Sequence, residues 1–481
     1  MQLIYEKSVP GRRGVRLPAS DVPAAPELPA ALRRKEPAAL PEASELDVVR
    51  HFTGLSRRNF SVDTNFYPLG SCTMKYNAKV LEEAARLFAP YHPMVPLLPH
   101  GSSFSQGCLG LAYELGAALA EITGMDEVTT QPLAGAHGEM TGIMLIAAYH
   151  EAKGNKKKYV VVPDSSHGTN PASATMVGYE IITVPTAPYG DMDLDRFREV
   201  MTDEVAAVMM TCPNTLGLFN PHIQEICDIA HDHDALMYYD GANLNAILGK
   251  VRPGDVGFDV IHLNLHKTFG TPHGGGGPGS GPVGVKKQLV PFLPSPRIVK
   301  YDDGCYGVDA PAHGSIGRTS GFFGNFGVMA KAFAYITMVG REGLIQVSEQ
   351  AVLNANYVMH RLKDVYDLPY DQTCMHECVF SAARQVKSGV HAIDIAKFLI
   401  DRGYHPPTVY FPLIVKEAIM IEPTETESKE TLDAFIAVMR EAAELAESDP
   451  AAFAEMPRTM PVTRLDETKA AREQNVCYFG C

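Results

Sequence analysis

Two side chains in the 481-residue sequence stand where they could share one piece of chemistry. Asp240 closes the apolar run LMYYD, and Lys267 follows the next apolar run, in DVIHLNLHKTF. An amine and a carboxylate delivered from the ends of successive strands suit a site that forms a Schiff base with an aldehyde. The amine is the nucleophile for that bond. The carboxylate pairs with a ring nitrogen and keeps it protonated, so that the ring draws electrons from a bound substrate. A pyridoxal phosphate site makes both demands. Singly, either residue reads as a solvated surface charge. Their positions after two apolar runs favour the paired reading.

Three more segments fit the same chemistry. Gly135-Ala136-His137-Gly138-Glu139 precedes a helical run, and its small residues let backbone N–H groups at a helix start approach a phosphate. Taken alone, it reads better as an ordinary glycine turn before a helix. Ser165-Ser166-His167-Gly168-Thr169-Asn170 follows the run YVVV. His167 there could stack on a cofactor ring, or be a loop histidine held by hydrogen bonds. Asn214 and Thr215, in TCPNTLGLF, could line the same cleft.

These residues need a scaffold that brings strand ends together. Apolar, β-rich runs predict strands over Tyr159–Val162, Glu180–Val184, Ala206–Met210, Leu236–Tyr239 and Val260–Leu263. Helical stretches alternate with them. One is expected to be capped by Asn220, with Pro221 in its first position and Ile223, Ile226, Cys227 and Ala230 on one face. Such alternation means βαβ units and a mostly parallel sheet. Ligands bind at the carboxyl ends of such strands. The expected organisation is an extended arm over 1–78, a large cofactor-binding α/β domain over 79–340 and a smaller α/β domain over 341–481. Proline forbids a continuous helix in LPASDVPAAPELPAALRRKEPAALPEASE. NFYPLGSCTMKYN, at 65–77, is too specific in composition for a plain linker. Near the far end, Leu432, Phe435, Ile436 and Met439 form a helical stripe.

Composition narrows the function classes. With 46% hydrophobic and 20% charged residues the chain reads as globular, not disordered. No apolar run approaches the roughly 18 residues of a membrane span. Forty-two basic against 56 acidic residues give a net charge of −14, which disfavours nucleic acid as a partner. The start, MQLIYEKSVPGRRG, has no apolar h-region, so no secretory signal is expected. Nine scattered cysteines do not form a disulfide framework, and a reducing cytoplasm is the expected compartment. No metal site is expected. Cys374-Met-His-Glu-Cys378 is expected to pack on a strand of the small domain. Cys72 is expected to be a small packed residue near the cofactor. Cys477-x3-Cys481 does not have a zinc spacing.

The segments EKSVPGRRGVRLP, PLGSCTMKYN, GAHGEMTG, SHGTNPASA, YDGANLNA, HLNLHKTFGTPHGGGGPGSGPVGVKK and EPTETESK run from the first residues to about 430. In them the chain resembles the glycine cleavage system P-protein family, glycine dehydrogenase (decarboxylating). The resemblance is to the carboxy-terminal half, which many bacteria encode separately as subunit 2. It implies the aspartate-aminotransferase-like, type I fold of pyridoxal phosphate enzymes, an α/β fold. It implies that Lys267 is the Schiff-base lysine, Asp240 the ring-nitrogen partner and His167 the stacking ring. Ala136 and His137 match the phosphate loop, and Ala242, Thr215 and His266 complete the expected cofactor contacts. The implied reaction joins glycine to the lipoyl arm of an H-protein, with loss of carbon dioxide. The implied partner is a companion subunit 1, two copies of each. Another type I amino-acid decarboxylase or lyase, and a non-catalytic scaffold, remain as alternatives at this point.

Overall fold

The computed structural model describes residues 2–88, 105–274, 277, 279–309 and 313–475. It comprises two units, Met1–Thr64 and Asn65–Cys481.

In the first unit the proline-rich stretch carries only a short 3-10 turn, Ala30–Leu32. A helix then runs over Glu45–Ser56. Its start is a capping box: Ser44 Oγ accepts from the Asp47 N–H, and the Asp47 carboxylate accepts from the Ser44 N–H, each at 3.2 Å. Arg12 pairs with the same Asp47 at 2.9 Å. This helix interrupts the otherwise irregular stretch that runs to residue 79.

The second unit is built on seven strands: β1 Glu127–Thr129, β2 Tyr159–Pro163, β3 Glu180–Val184, β4 Val205–Met210, β5 Leu236–Gly241, β6 Val260–Leu263 and β7 Val283–Val285. Their order is β1-β7-β6-β5-β4-β2-β3. β7 runs antiparallel to both neighbours, and the other four pairings are parallel. All five strands read from the sequence are present. Their continuous apolar runs match a sheet covered on both faces. Alternate residues feed opposite cores. Val160, Val162 and Tyr238 pack on one side with Ile143 and Ile146 of the helix Gly135–Ala152. Val161, Met237 and Tyr239 pack on the other with Ile226 and Cys227 of the helix Ile223–Asp232.

That second helix buries Ile223, Ile226, Cys227 and Ala230 as read, but its start differs. Asn220 Oδ1 accepts from the His222 N–H at 2.8 Å. This closes a turn before the helix, with Pro221 inside the turn. The asparagine oxygen is thus spent on that turn, and His222, not Asn220, stands at the cap position of the helix.

Two smaller sheets follow. β8 Ile298–Lys300 pairs with β9 Tyr306–Val308, and β10 Cys378–Ser381, β11 Thr408–Val409 and β12 Ala418–Ile421 form a three-stranded antiparallel sheet in the order β10-β12-β11. The helix Lys429–Ser448 buries Leu432, Phe435, Ile436 and Met439. The long helix Phe326–Leu362 breaks at Gly340, whose φ of 67° is open to glycine. The segment at 65–77 lies against the end of β12: Leu69 bridges Ile421, and Glu422 N donates to Pro68 O at 3.3 Å. Among the described residues, no helix is long and apolar enough to cross a membrane.

Gly281 packs directly on the Ala134 carbonyl oxygen, just before the helix Gly135–Ala152, leaving no room for a Cβ. Gly281→Ala should lower stability by about 1–3 kcal/mol, the range for overpacking. Urea unfolding checks this, and an unchanged midpoint would refute it.

Candidate active site

Four neighbouring strands, β2, β4, β5 and β6, end on the same edge of the sheet. Ser165–Asn170 follows β2, Thr215 lies beyond β4, Asp240 is the penultimate residue of β5, and Lys267 lies in the short helix Leu265–Thr268 after β6. The parallel order therefore converts distant sequence positions into one cleft.

Asp240 lies at its floor, 4% exposed. Its Oδ1 accepts from the Ala242 N–H at 3.1 Å, and its Oδ2 accepts from Asn170 Nδ2 at 3.1 Å. His262 is its register partner on β6, with Nε2 3.3 Å from Oδ1. Burial pushes the Asp240 carboxyl up. His262, the Ala242 N–H, the Asn170 amide and Lys267 together outweigh burial and hold it below the usual carboxylate range. The other ring nitrogen of His262 meets Tyr238 Oη at 2.9 Å.

Glu139 has the opposite fate. Its donor atoms lie within 4.8 Å of those of Asp240 and His262. Burial, then the charge of Asp240, pushes its carboxyl up to about 7, although Thr169 Oγ1 donates to it at 2.8 Å. Two neighbouring acids are thus split, one ionised well below neutrality and one holding its proton up to about pH 7.

His167 Nδ1 accepts from the Thr169 N–H at 3.2 Å and lies 2.8 Å from Thr169 Oγ1. Burial lowers the His167 pKa, which favours the neutral ring. Ala136 is exposed and His137 half-buried in the first turn of Gly135–Ala152, where backbone N–H groups have no partner within the helix. His137 Nδ1 accepts from the Leu133 N–H at 3.2 Å. Glycines bring this turn close: a Cβ on Gly135 would fall 2.5 Å from Asn264 Oδ1, and one on Gly138 2.7 Å from Gly281 O.

Lys267 Nζ donates to Asn243 Oδ1 at 3.1 Å. Thr215 is buried and ties two strand-end loops together, its Oγ1 donating to Ser165 O at 2.5 Å. His266 Nδ1 accepts from the Ser280 N–H at 3.3 Å, and burial with nearby Lys267 lowers this imidazole to about 4. Its ring links the Lys267 turn to the glycine-rich run.

The comparisons with known proteins agree with this arrangement. The family model described as "Glycine cleavage system P-protein" matches residues 19–308, and "Glycine dehydrogenase, C-terminal domain" matches 347–456. The probable glycine dehydrogenase (decarboxylating) subunit 2 of Listeria innocua is 56% identical over 484 residues, covering 99% of this chain and 98% of that one. The same subunit of Shouchella clausii is 58% identical over 482 residues, covering 99% and 97%. The chain belongs to the glycine cleavage system P-protein family.

Solved structures show which fold this P-protein chain has. A glycine decarboxylase (P-protein) of the glycine cleavage system, in inhibitor-bound form, aligns with a TM-score of 0.71 at 22% identity, over 86% of this chain and 93% of that one. A sphingosine-1-phosphate lyase from Burkholderia pseudomallei aligns at 0.62 and 16%, over 90% and 95%. The fold is the type I, aspartate-aminotransferase-like fold of pyridoxal phosphate enzymes.

Sequence reasoning gave no role to Glu139, Asn170, Asn243 or His262. Glu139 and Asn170 lie inside the segments already singled out. His262 had a signal of its own, since a polar residue inside a central apolar strand needs a buried partner. One reading changes: Cys374 to Glu377 form an irregular turn, and only Cys378 begins a strand, β10. Both cysteines are buried in the core around that sheet. Cys72 is partly buried, and burial pushes its thiol up to about 11. Cys477 and Cys481 lie outside the described residues.

Glu139 yields a pH prediction. Its carboxyl titrates near about 7 in the fold, against an ordinary value of 4.5. Between those values the folded chain keeps a proton that the unfolded chain releases, so this group's contribution to stability falls as pH rises. In the cofactor-free chain, Glu139→Gln should therefore gain stability relative to wild type between about pH 5 and about pH 8. Urea midpoints at both pH values measure this, and an unchanged difference would refute it.

Proposed function

We propose that this chain is the catalytic, carboxy-terminal half of a glycine decarboxylase. In this reading it uses pyridoxal phosphate, releases carbon dioxide from glycine and passes the aminomethyl group to the lipoyl arm of an H-protein. The observation that carries the reading is the convergence of the Lys267 amine and the buried, ionised Asp240 at the ends of adjacent strands.

The residues present suit the cofactor. A phosphorylated pyridine needs a fixed anion for its ring nitrogen, N–H donors for its phosphate and an amine for its aldehyde. Asp240 offers the first. The first turn of Gly135–Ala152, with Ala136 and His137, offers the second, and glycines without room for a Cβ form its seat. Lys267 offers the third. When bound, the cofactor supplies a sink for the electron pair left on the glycine Cα as carbon dioxide departs.

The rest is the work of this chain's own groups. Asp240, held ionised by Asn170, Ala242 and His262, would keep a proton on the ring nitrogen. Asn243 Oδ1 orients the Lys267 amine. His167 would present the face of a neutral ring to the cofactor. Thr215, Ala242 and His266 hold the loops around it and so act on its position. Glycine has no side chain, so the site needs no side-chain pocket. The transfer step needs an open path for the lipoyl arm.

In this reading the chain works with a companion subunit 1, two copies of each, in the cytoplasm. The domain reading proposed for it is an arm over 1–78, a cofactor domain over 79–340 and a small domain over 341–481.

Two measurements test the proposal. Borohydride reduction should fix the cofactor to the peptide containing Lys267, and label on another lysine would overturn the assignment. Glycine-dependent exchange of labelled bicarbonate should require both the companion subunit and lipoylated H-protein. Exchange indifferent to H-protein would point to a different amino-acid decarboxylase.

A further inference from the structure

The only side-chain hydrogen bond that Lys267 Nζ donates among the described residues goes to Asn243 Oδ1. An asparagine amide can present either its oxygen or its nitrogen, and only the oxygen accepts from an ammonium. Something must set its orientation. Asn243 is buried, and its Nδ2 donates to Thr73 Oγ1 at 2.9 Å and to Glu422 Oε2 at 3.4 Å. Thr73 Oγ1 in turn donates to Glu422 Oε1 at 2.6 Å. Its hydroxyl hydrogen is thereby committed to the carboxylate, and the hydroxyl can only accept from Asn243. The carboxylate thus fixes the hydroxyl, the hydroxyl fixes the amide, and the amide turns its oxygen to the amine.

The backbone supports the same conclusion. Thr73 has a φ of 47°, a left-handed conformation that a β-branched residue rarely adopts. Such strain persists only where the surroundings hold it. Here Glu422 Oε2 also accepts from the Thr73 N–H, at 3.0 Å. Glu422 is fully buried and follows β12, and Asn245 Nδ2 donates to it at 3.2 Å. No lysine or arginine pairs with its carboxylate among the described ion pairs. Its hydrogen bonds converge on Thr73 and on the loop that carries Asn243, and the buried His376 and Glu377 side chains place polar atoms within 4.8 Å of it.

We propose that Glu422 is a positioning residue for Lys267, acting through Thr73 and Asn243. Without it the amide is free to turn its nitrogen towards the amine, and the amine loses its acceptor. The proposal deepens the reading of Lys267 as the cofactor-bearing residue and rests on it.

The experiment uses the full chain stripped of cofactor with hydroxylamine. Pyridoxal phosphate is added back, and the rise of the visible absorption band is followed. Thr73→Val keeps the shape of the side chain and leaves Glu422 in place but removes the hydroxyl. Glu422→Gln keeps the shape and replaces one acceptor by a donor. Each should slow the rise by about five- to tenfold, the scale of one hydrogen bond. In an Asn243→Ala background neither should slow it further, because the intermediary is gone. A wild-type rate in Thr73→Val would overturn the proposal, as would equal slowing in the Asn243→Ala background. If Glu422→Gln does not fold, Thr73→Val decides alone. A wild-type chain that develops no band would instead defeat the cofactor reading itself.

Discussion

Asp240 must stay charged with almost no water around it, and much of the site follows from that requirement. A buried carboxylate ionises only when hydrogen bonds and nearby positive charge replace its hydration. Here the replacements come from three strands. Asn170 arrives from the first turn of the helix Thr169–Val177 that follows β2, Ala242 from the end of β5, and His262 from β6 in direct register. No local stretch of chain could supply them together. A parallel sheet with β4 and β5 at its centre does so without further devices. The cost falls on Glu139, which, itself buried and beside a charge already present, cannot ionise freely.

The same logic of neighbours from afar governs the amine side. Lys267 sits on one turn of helix, too short to be stable alone. That turn is held from outside. Lys75, almost fully buried, donates from its Nζ to Thr268 O at 2.6 Å and to Glu425 at 2.6 Å. Burial disfavours the Lys75 charge, but Glu425 and Tyr335 more than restore it and raise its pKa. Breaking such a buried pair by removing one partner is strongly destabilising. The segment from Gly70 to Asn77 thus ties the Lys267 turn to the end of β12 at two points, through Lys75 and through Thr73.

These two networks also explain what the sequence could and could not disclose. Asp240 and Lys267 were legible because each follows an apolar run, and that pattern is local. The central strands were legible for the same reason. The helix starting at Glu45 carried a local signature too, a serine three residues before an aspartate, which the surrounding prolines obscured. Asn170, His262 and Asn243 were not legible as partners, because register decides which side chains face each other. Thr73 and Glu422 lie 349 residues apart, and Lys75 and Glu425 lie 350 apart. Nothing in either segment names the other. The helix start expected at Asn220 failed on a finer point: its side-chain oxygen closes a turn that precedes the helix.

The most direct test of the account is to remove the charge of Asp240 while keeping its shape. Asp240→Asn, assembled with its companion subunit and lipoylated H-protein, can be assayed for glycine-dependent exchange of labelled bicarbonate. Loss of one preorganised charge interaction of this kind costs on the order of 3 kcal/mol, so the rate should fall by about a hundredfold or more while the fold persists. A folded Asp240→Asn chain that exchanges bicarbonate at nearly the native rate would contradict the central role given to that carboxylate.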